Sequence, residues 1–224
     1  VSGMNLLYSV PVNRSVERIP LTPDTFADPM KDVRYFKIAP NSQWVIFDGD
    51  LERDDRYDLY SVSIDGSRYK QLTEAMNDDK DIKTYEIAPD SSGVVLIVDY
   101  VDTGVNELFA VNMTGTWGQR LNDDLPVGGN VLDFRISNNS EGVVYRADQD
   151  EDEDLNLYLV SSRGGTLPLR LNPTTDRSYY VSSIFSITPD DKGMVYMADQ
   201  DLEDVFELFI TYDYKKLYLP LVTR

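Results

Sequence analysis

Closely spaced carboxylates are the residues of this chain with the clearest potential for chemistry. The stretch ADQDEDEDLNLYLV places six acidic residues within seven consecutive positions and then changes abruptly to an apolar run. Ca²⁺ binds six to eight oxygen ligands, and alternating aspartates can supply them. We predict a calcium site on five aspartates: Asp148, Asp150, Asp152, Asp199 and Asp201.

The spacing does not fit an EF-hand, and a second interpretation of the same carboxylates remains open. With Asp148 as the first ligand, Glu153 takes the place of the turn glycine and Leu159 that of the bidentate glutamate. Aspartate and glutamine side chains also cap backbone groups in turns without any metal. The alternatives are therefore calcium binding and solvated turn capping.

The residues on which most hydrolases rely are missing from this sequence. It contains no cysteine and no histidine, which excludes a Ser-His-Asp triad, a Cys-His pair, a histidine zinc site and any disulfide. Paired carboxylates can hydrolyse glycosides, but so many acidic pairs are present that none marks a site. We predict a protein without catalytic activity and with no cofactor other than the calcium considered above.

The charge balance limits the choice of partners. With 39 acidic and 21 basic residues the chain carries a formal charge of -18, which repels nucleic acid and anionic membrane surfaces. No apolar run approaches the roughly 18 residues of a membrane span. We predict protein partners, including further copies of this chain, with no nucleic acid and no membrane insertion.

The acidic stretches belong to a longer repeat. Four stretches share an aromatic residue, an isoleucine two positions later, a polar turn and an apolar run: YFKIAPNSQWVIFDGD, TYEIAPDSSGVVLIVD, DFRISNNSEGVVYRAD and IFSITPDDKGMVYMAD. Their aromatic anchors follow one another at intervals of 49, 49 and 51 residues: Phe36, Tyr85, Phe134 and Phe185. Fixed periods of this length are the signature of repeat architectures.

Each repeat contains four short strand-like segments. The two segments above are followed by an acidic stretch that begins at Asp48, Asp99, Asp148 or Asp199, then by a segment such as ELFAVNM, and then by a short closing segment. Four strands in a row predict an antiparallel meander. A recurring four-stranded meander is typical of the blades of a β-propeller, so we predict an all-β fold of that class, with a solenoid as the alternative.

The repeat count predicts one β-propeller domain over residues 1–224, made of four whole blades and an N-terminal half-blade. We place the half-blade at residues 1–24 and the blades at residues 32–73, 81–122, 130–172 and 180–224. The half-blade aligns with the third and fourth strands of a repeat and lacks the first two. Its partner strands can come from a longer chain, from another copy by strand exchange, or from closure of a five-sheet ring.

These repeats resemble the TolB-type β-propeller repeat in two motifs. Its turn is matched at residues 87–90 and 187–190, and its third strand at residues 107–109, 156–158 and 207–209. The third repeat departs from the pattern, with Asn138-Asn139 in place of Pro-Asp. The resemblance covers roughly residues 32–224 and implies a β-propeller fold. It implies no single activity, because such repeats occur in translocation proteins, peptidase accessory domains and secreted proteins.

Three N-x-S/T sequons and the start of the chain indicate an exported protein. The sequons fall at predicted turns, where a surface glycan can be attached, at Asn13, Asn112 and Asn138. Val1 opens the chain without an initiator methionine, as in a processed protein. We predict a non-enzymatic extracellular or cell-surface module that self-associates by strand completion of the half-blade. The alternatives are an accessory propeller of a larger peptidase and a periplasmic adaptor similar to TolB.

Overall fold

The computed structural model describes residues 5–13, 17–22, 32–53, 56–74, 81–99, 104–174 and 179–212. These residues form 17 β-strands, as expected for an all-β fold, and include no helix that could cross a membrane. The strands are β1 Tyr8–Ser9, β2 Ile19–Pro20, β3 Val33–Ile38, β4 Trp44–Arg53, β5 Arg56–Ser63, β6 Tyr69–Gln71, β7 Asp81–Ile87, β8 Gly93–Asp99, β9 Asn106–Asn112, β10 Gly118–Arg120, β11 Val131–Ile136, β12 Gly142–Ala147, β13 Asn156–Ser161, β14 Leu169–Arg170, β15 Val181–Ile187, β16 Gly193–Leu202 and β17 Val205–Tyr212.

The strands form five sheets in which neighbours in the chain pair with each other. Within the described ranges there is one two-stranded sheet, β1-β2, and one three-stranded sheet, β15-β16-β17. The other three sheets have four strands each, in the orders β3-β4-β5-β6, β10-β9-β8-β7 and β11-β12-β13-β14. The predicted half-blade and the predicted meanders are thereby confirmed. The fourth strand predicted for the last blade, near residues 216–222, lies outside the described residues.

The chain divides into two compact units. The first comprises residues 1–103 and 111–118, and the second comprises residues 104–110 and 119–224. The first unit contains the half-blade, the blade β3–β6 and strands β7 and β8. The second contains the blades β11–β14 and β15–β17. The prediction of one domain over residues 1–224 stays a prediction.

The turn between the first two strands of each blade contains one residue in the left-handed region. These residues have φ angles of 57°, 61°, 62° and 54°: Ser42, Ser91, Ser140 and Asp191. The side chain of the residue before it accepts a hydrogen bond from a backbone amide two residues further along the chain. In the first two blades the acceptors are Asn41 and Asp90. Asn139 accepts the same bond from Glu141. Because asparagine and aspartate offer the same acceptor oxygen, the Asn-Asn sequence of the third blade closes this turn as well.

In three blades a buried polar side chain that follows the fourth strand accepts a hydrogen bond from the backbone of the third strand. The side-chain oxygens accept hydrogen bonds of 2.7–3.1 Å from leucine amides, in the pairs Thr73 and Leu59, Asn122 and Leu108, and Asn172 and Leu157. An amide left buried without this acceptor would cost about 1–3 kcal/mol. The position therefore requires a side chain with an acceptor oxygen.

The core of each unit forms where successive sheets face each other. In the second unit Val144, Leu157 and Leu159 pack against buried residues of the next blade, including Phe185 and Tyr196. In the first unit the half-blade packs against β4 and β5 in the same way. Stacked aromatic rings with centroids 5.2–5.5 Å apart join the second and third strands: Phe47–Tyr60, Tyr145–Tyr158 and Tyr196–Phe209. Three of the four aromatic anchors are buried as well, Tyr85, Phe134 and Phe185, whereas Phe36 is 55% exposed.

Candidate functional site

One aspartate per blade ties the end of the second strand to the start of the first in three of the blades. Its Oδ1 accepts the backbone amide of the residue just before the first strand. The donor and acceptor residues are Asp32 and Asp50, Asn130 and Asp148, and Tyr180 and Asp199. The amide of each aspartate donates in return to the carbonyl of the same residue, at 3.1–3.3 Å. The strand ends are closed by this reciprocal pair of hydrogen bonds.

Asp50, and not Asp48, is the member of this set in the first blade. It lies ten residues before Tyr60, the spacing that also separates Asp148 from Tyr158. The first acidic stretch begins two residues earlier, at Asp48, which precedes Tyr60 by twelve residues. Counting back ten residues from the aromatic of the third strand therefore gives the structurally equivalent position.

Two of the five predicted calcium ligands organise the loop backbone. Asp148 and Asp199 are buried, and their second carboxylate oxygens accept the amides of Glu153 and Asp204 at 3.3 Å. Both donor residues have positive φ angles, of 65° and 61°. A carboxylate that holds two amides in a tight loop acts as a turn cap. For these two aspartates the contacts favour capping.

The other three predicted ligands lie nearer to solvent. Asp150 pairs with Arg170 at 3.3 Å, whereas Asp152 and Asp201 are exposed. Throughout the described part of the chain, no three acidic side chains converge closely enough to hold a metal ion. Calcium binding therefore stays one of the two alternatives for the five aspartates, and the observed contacts favour the other one, turn capping.

We expect millimolar Ca²⁺ to leave the melting temperature unchanged, because the buried aspartates already accept backbone amides. A true site at a hundredfold excess of ligand over Kd would add about 2.7 kcal/mol of stability. Thermal unfolding of chelator-treated protein, with and without added Ca²⁺, measures the difference. A clear rise in melting temperature that Asp150→Asn with Asp152→Asn abolishes, but that Glu141→Gln preserves, would contradict this expectation.

The three sequon asparagines differ in how their side chains are used. Asn13 is exposed. The Nδ2 of Asn112 donates to Thr116 at 2.9 Å within its own turn. The Nδ2 of Asn138 donates to Asp191 of the next blade at 3.0 Å. A glycan on Asn138 would have to displace a contact between blades, so among the three predicted sites it is the least accessible.

Two arginine–carboxylate pairs link neighbouring sheets, with the charges exchanged between strands. In the first unit Arg34 of β3 pairs with Asp48 of β4 at 2.6 Å and donates to a carbonyl of β7. In the second unit Arg146 of β12 pairs with Asp133 of β11 and donates to a carbonyl of β15. Neither pair was predicted from the sequence. Opposite charges 13 or 14 residues apart on paired strands were the available signal.

A cavity of about 430 Å³ lies in the first unit beside β3 and β7. Its charged lining consists of three basic residues and two acidic ones: Arg34, Lys37, Lys83, Asp48 and Asp81. Asp48 is 1% exposed; Arg34 donates to its Oδ2, whereas no described residue donates to its Oδ1. Burial raises the pKa of Asp48 above its usual value, and the guanidinium of Arg34 opposes this shift. The Oδ1 of Asp48 has almost no accessible surface, so this oxygen is closed off from the cavity as well as from bulk water.

The last described sheet, β15-β16-β17, exposes an apolar face. Side chains alternate between the two faces of a strand. On β17 those of one face are 46–71% exposed: Phe206, Leu208, Ile210 and Tyr212. The strand register places Val195 and Met197 of β16 beside Ile210 and Leu208. We call this surface the end face. The charged residue of β17, Glu207, lies on the opposite face of the strand.

The comparisons with solved structures settle the fold. No protein-family model and no curated protein matches the chain. A TolB-type structure from Agrobacterium tumefaciens matches it with a TM-score of 0.51 at 14% sequence identity, over 93% of this chain and 70% of that one. The chain has the β-propeller fold of TolB. The expectation from the turn and strand motifs is thereby confirmed.

Two enzymes contain a similar arrangement of blades. Oligogalacturonate lyase in complex with manganese matches with a TM-score of 0.57 at 14% identity, over 96% of this chain and 55% of the lyase. Oligopeptidase B from Leishmania major matches with a TM-score of 0.58 at 12% identity, over 88% of this chain and 27% of the enzyme. At such identities the likeness to TolB and to these enzymes shows the fold alone.

Proposed function

We propose that this chain is an exported, non-enzymatic β-propeller module that works by binding other proteins, and that its first partner is another copy of itself. The observation that carries the proposal is the exposure of Leu208, which is 71%. Large apolar side chains gathered on one exposed face mark interaction sites in soluble proteins.

The equivalent positions of the preceding blade show what such a face requires. Leu157 and Leu159 of β13 correspond to Leu208 and Ile210 of β17, and they are only 0% and 4% exposed. They are covered by the following blade, which packs its first two strands against them. The end face of β17 has the same character but no described residue over it. A blade-like surface is therefore the natural occupant.

Charge favours a second copy despite the acidity of the chain. Two molecules of charge -18 repel each other through their acidic loops. The end face carries no charged side chain on β17, so two copies can approach there without desolvating a carboxylate. Salt screens the remaining repulsion over about 8–10 Å at physiological ionic strength. Association should accordingly strengthen as salt is raised.

The chain also offers a second, different apolar surface near its N-terminus. Exposed residues of the half-blade and of β3 surround a cavity of about 500 Å³: Tyr8, Val10, Phe36 and Ile38. The counterparts of Phe36 in the other blades are 4–5% exposed. When the end face of one copy meets this surface of the next, the contact is heterologous and can repeat. The expected products are head-to-tail oligomers.

Sedimentation velocity at increasing salt tests the proposal. We expect the wild-type chain to associate, and the variant with Leu208→Asp and Ile210→Asp to sediment as a monomer, because a buried carboxylate without a partner opposes docking. Val127→Asp is the matched control, since Val127 is 98% exposed and lies far along the chain from the end face. A wild-type chain that stays monomeric at every salt concentration would refute self-association.

The location and a second function are proposals of the same kind. We place the protein outside the cell or at its surface, on the basis of the sequons, with the periplasm as the alternative.

The likeness to oligopeptidase B favours a second candidate function, an accessory propeller within a longer peptidase chain. The length of the gene distinguishes the two, because a peptidase requires a catalytic domain in addition to the residues present here.

A further inference from the structure

Phe36 is exposed at a position where the other blades bury their aromatic anchor. It is 55% exposed, whereas its counterpart Phe185 is 5% exposed. Phe185 is covered by the preceding blade, with Val144 from the second strand and Leu157 and Leu159 from the third. Within the described ranges the half-blade before Phe36 has only β1 and β2, which correspond to a third and a fourth strand. The place of a first and a second strand is therefore open beside Phe36.

The first turn of the first blade lacks a cover in the same way. In the first unit the amide of Asn41 donates to Oγ of Ser91 in the next blade at 3.0 Å. In the second unit the amide of Asn139 donates to Oδ2 of Asp191 in the next blade at 2.9 Å. Ser91 and Asp191 are each 6% exposed, whereas Ser42, which holds the same position in the first blade, is exposed. The missing cover therefore includes the turn that joins a first strand to a second.

The free edge of β1 offers backbone groups to an added strand. The amide of Leu21 donates to the carbonyl of Leu7 at 2.9 Å, and Tyr8 lies opposite Pro20, which has no amide hydrogen. Because the direction of the hydrogen bonds alternates along a strand, the amide and carbonyl of Tyr8 point away from β2. Extended segments of other chains pair with free sheet edges of this kind.

An apolar groove of about 500 Å³ lies beside this edge. Val10, Phe36 and Ile38 line it and are each 55–56% exposed. The charged residue among those that line it is Asp65. Hydrogen bonds from the hydroxyl of Ser63 and from further donors of the same turn lower the pKa of Asp65 to about 2, so its carboxylate is ionised at neutral pH. An apolar segment that carries a positive charge is complementary to this groove.

Each unit shows which side chain lies over the aromatic anchor of a covered blade. Lys37 Nζ lies 5.1 Å from the ring centroid of Tyr85, and Cζ of Arg135 lies 4.9 Å from that of Phe185. Both cations come directly after the anchor of the preceding blade. In the last blade Ser186 holds this place, so the end face of a second copy brings no cation there. A lysine or arginine on an added first strand would complete the exposed anchor of the first blade.

We propose that the groove binds a β-hairpin of another polypeptide, whose first strand carries a lysine or arginine over Phe36 and whose second strand pairs with β1. The hairpin completes the half-blade to four strands. It competes with the end face of a second copy for this surface, so a bound hairpin ends a head-to-tail oligomer at that copy. Binding itself takes place within the first unit and does not depend on self-association.

Fluorescence anisotropy with a labelled, preformed hairpin tests the site. The probe has the sequence of residues 131–148 of this chain, which contain β11 and β12 and carry Arg135 at the cationic position. An isolated hairpin is marginally stable. The probe therefore carries Val131→Cys and Ala147→Cys, which lie opposite each other and close it with a disulfide. We expect saturable binding at micromolar concentration.

Variants of the protein and of the probe assign the contact. The protein carries Leu208→Asp and Ile210→Asp, so that association between copies does not interfere. A further Phe36→Ala should weaken binding about tenfold, and Arg135→Ala in the probe at least about threefold. Because Phe36 is exposed, its truncation should leave the fold intact. Phe206→Ala is the matched control, since this ring is 46% exposed in the second unit and its loss should not change binding.

The outcomes separate this proposal from self-association. A closed probe that does not bind saturably, or whose binding is unchanged by both Phe36→Ala and Arg135→Ala, overturns the hairpin site. If the wild-type chain self-associates while the monomeric variant rejects the probe, the groove belongs to a second copy and the proposal is overturned. A chain that binds the probe but never self-associates supports the hairpin site and refutes self-association.

Discussion

Replacing Leu157 by alanine is expected to lower the free energy of unfolding by about 2–5 kcal/mol. Leu157 is fully buried in the core of the second unit, where it packs with Val144 and Leu159 against the next blade. Its removal leaves a cavity between two sheets that are held apart by their other side chains, so the surroundings can relax only in part. Urea denaturation followed by tyrosine fluorescence or circular dichroism measures the loss.

Leu208→Ala is the matched control for this prediction. Leu208 holds the same place in the repeat motif but is 71% exposed, so its truncation should change the free energy of unfolding of the monomer by less than about 0.5 kcal/mol. The same substitution should weaken association if the end face is the interface. Equal destabilisation by Leu157→Ala and Leu208→Ala would mean that something covers the end face within one molecule.

Replacing Arg146 by alanine is expected to destabilise the second unit by about 3 kcal/mol. The Arg146 side chain is 7% exposed. It donates to Asp133 through Nε at 2.8 Å and to the Val181 carbonyl through Nη1 at 3.1 Å. Its loss leaves the part-buried carboxylate of Asp133 and the buried carbonyl of Val181 without their donor. The midpoint of urea denaturation gives the effect, provided that the slope of the transition is unchanged.

Two further variants test whether the stability effect of Arg146→Ala comes from its ion pair with Asp133 or from the loss of any arginine. Arg135→Ala removes an arginine that lies 4.9 Å from the Phe185 ring centroid and should cost no more than about 1 kcal/mol. The double variant of Arg146→Ala with Asp133→Ala should be less destabilised than the sum of the two single variants, because each single variant leaves a charge unpaired. A strictly additive result would show that the two residues do not act as a pair.

Much of the fold could be predicted because it is encoded locally and repeatedly. The aromatic anchors, the polar turns and the alternation of side chains specify strands, and their period specifies blades. The Asn138-Asn139 departure did not disturb this pattern, because Asn139 supplies the same turn-capping oxygen as the aspartate expected there. The blade limits predicted at residues 32–73, 81–122 and 130–172 enclose the strands of the corresponding sheets.

The candidate sites were much less accessible to prediction. The acidic stretch predicted a calcium site, but the presence of acidic residues does not reveal whether a carboxylate faces solvent or accepts a backbone amide. Asp148 and Asp199 do the latter. The sequence marks Asp48 only as the start of an acidic run, because its partner Arg34 lies on another strand. The information that distinguishes these aspartates is not local.

By itself the sequence determined the strand order, the blade period, the turn chemistry and the lack of the residues needed for common catalytic sites. Only the tertiary structure decided which equivalent residues are covered. Leu157 and Leu208 stand in nearly identical motifs, yet one is buried and the other is 71% exposed. The physical reason is that the face of a blade is buried by the sheet that follows about 50 residues later in the chain. The burial of each leucine is therefore a property of its neighbouring sheet and not of its own motif.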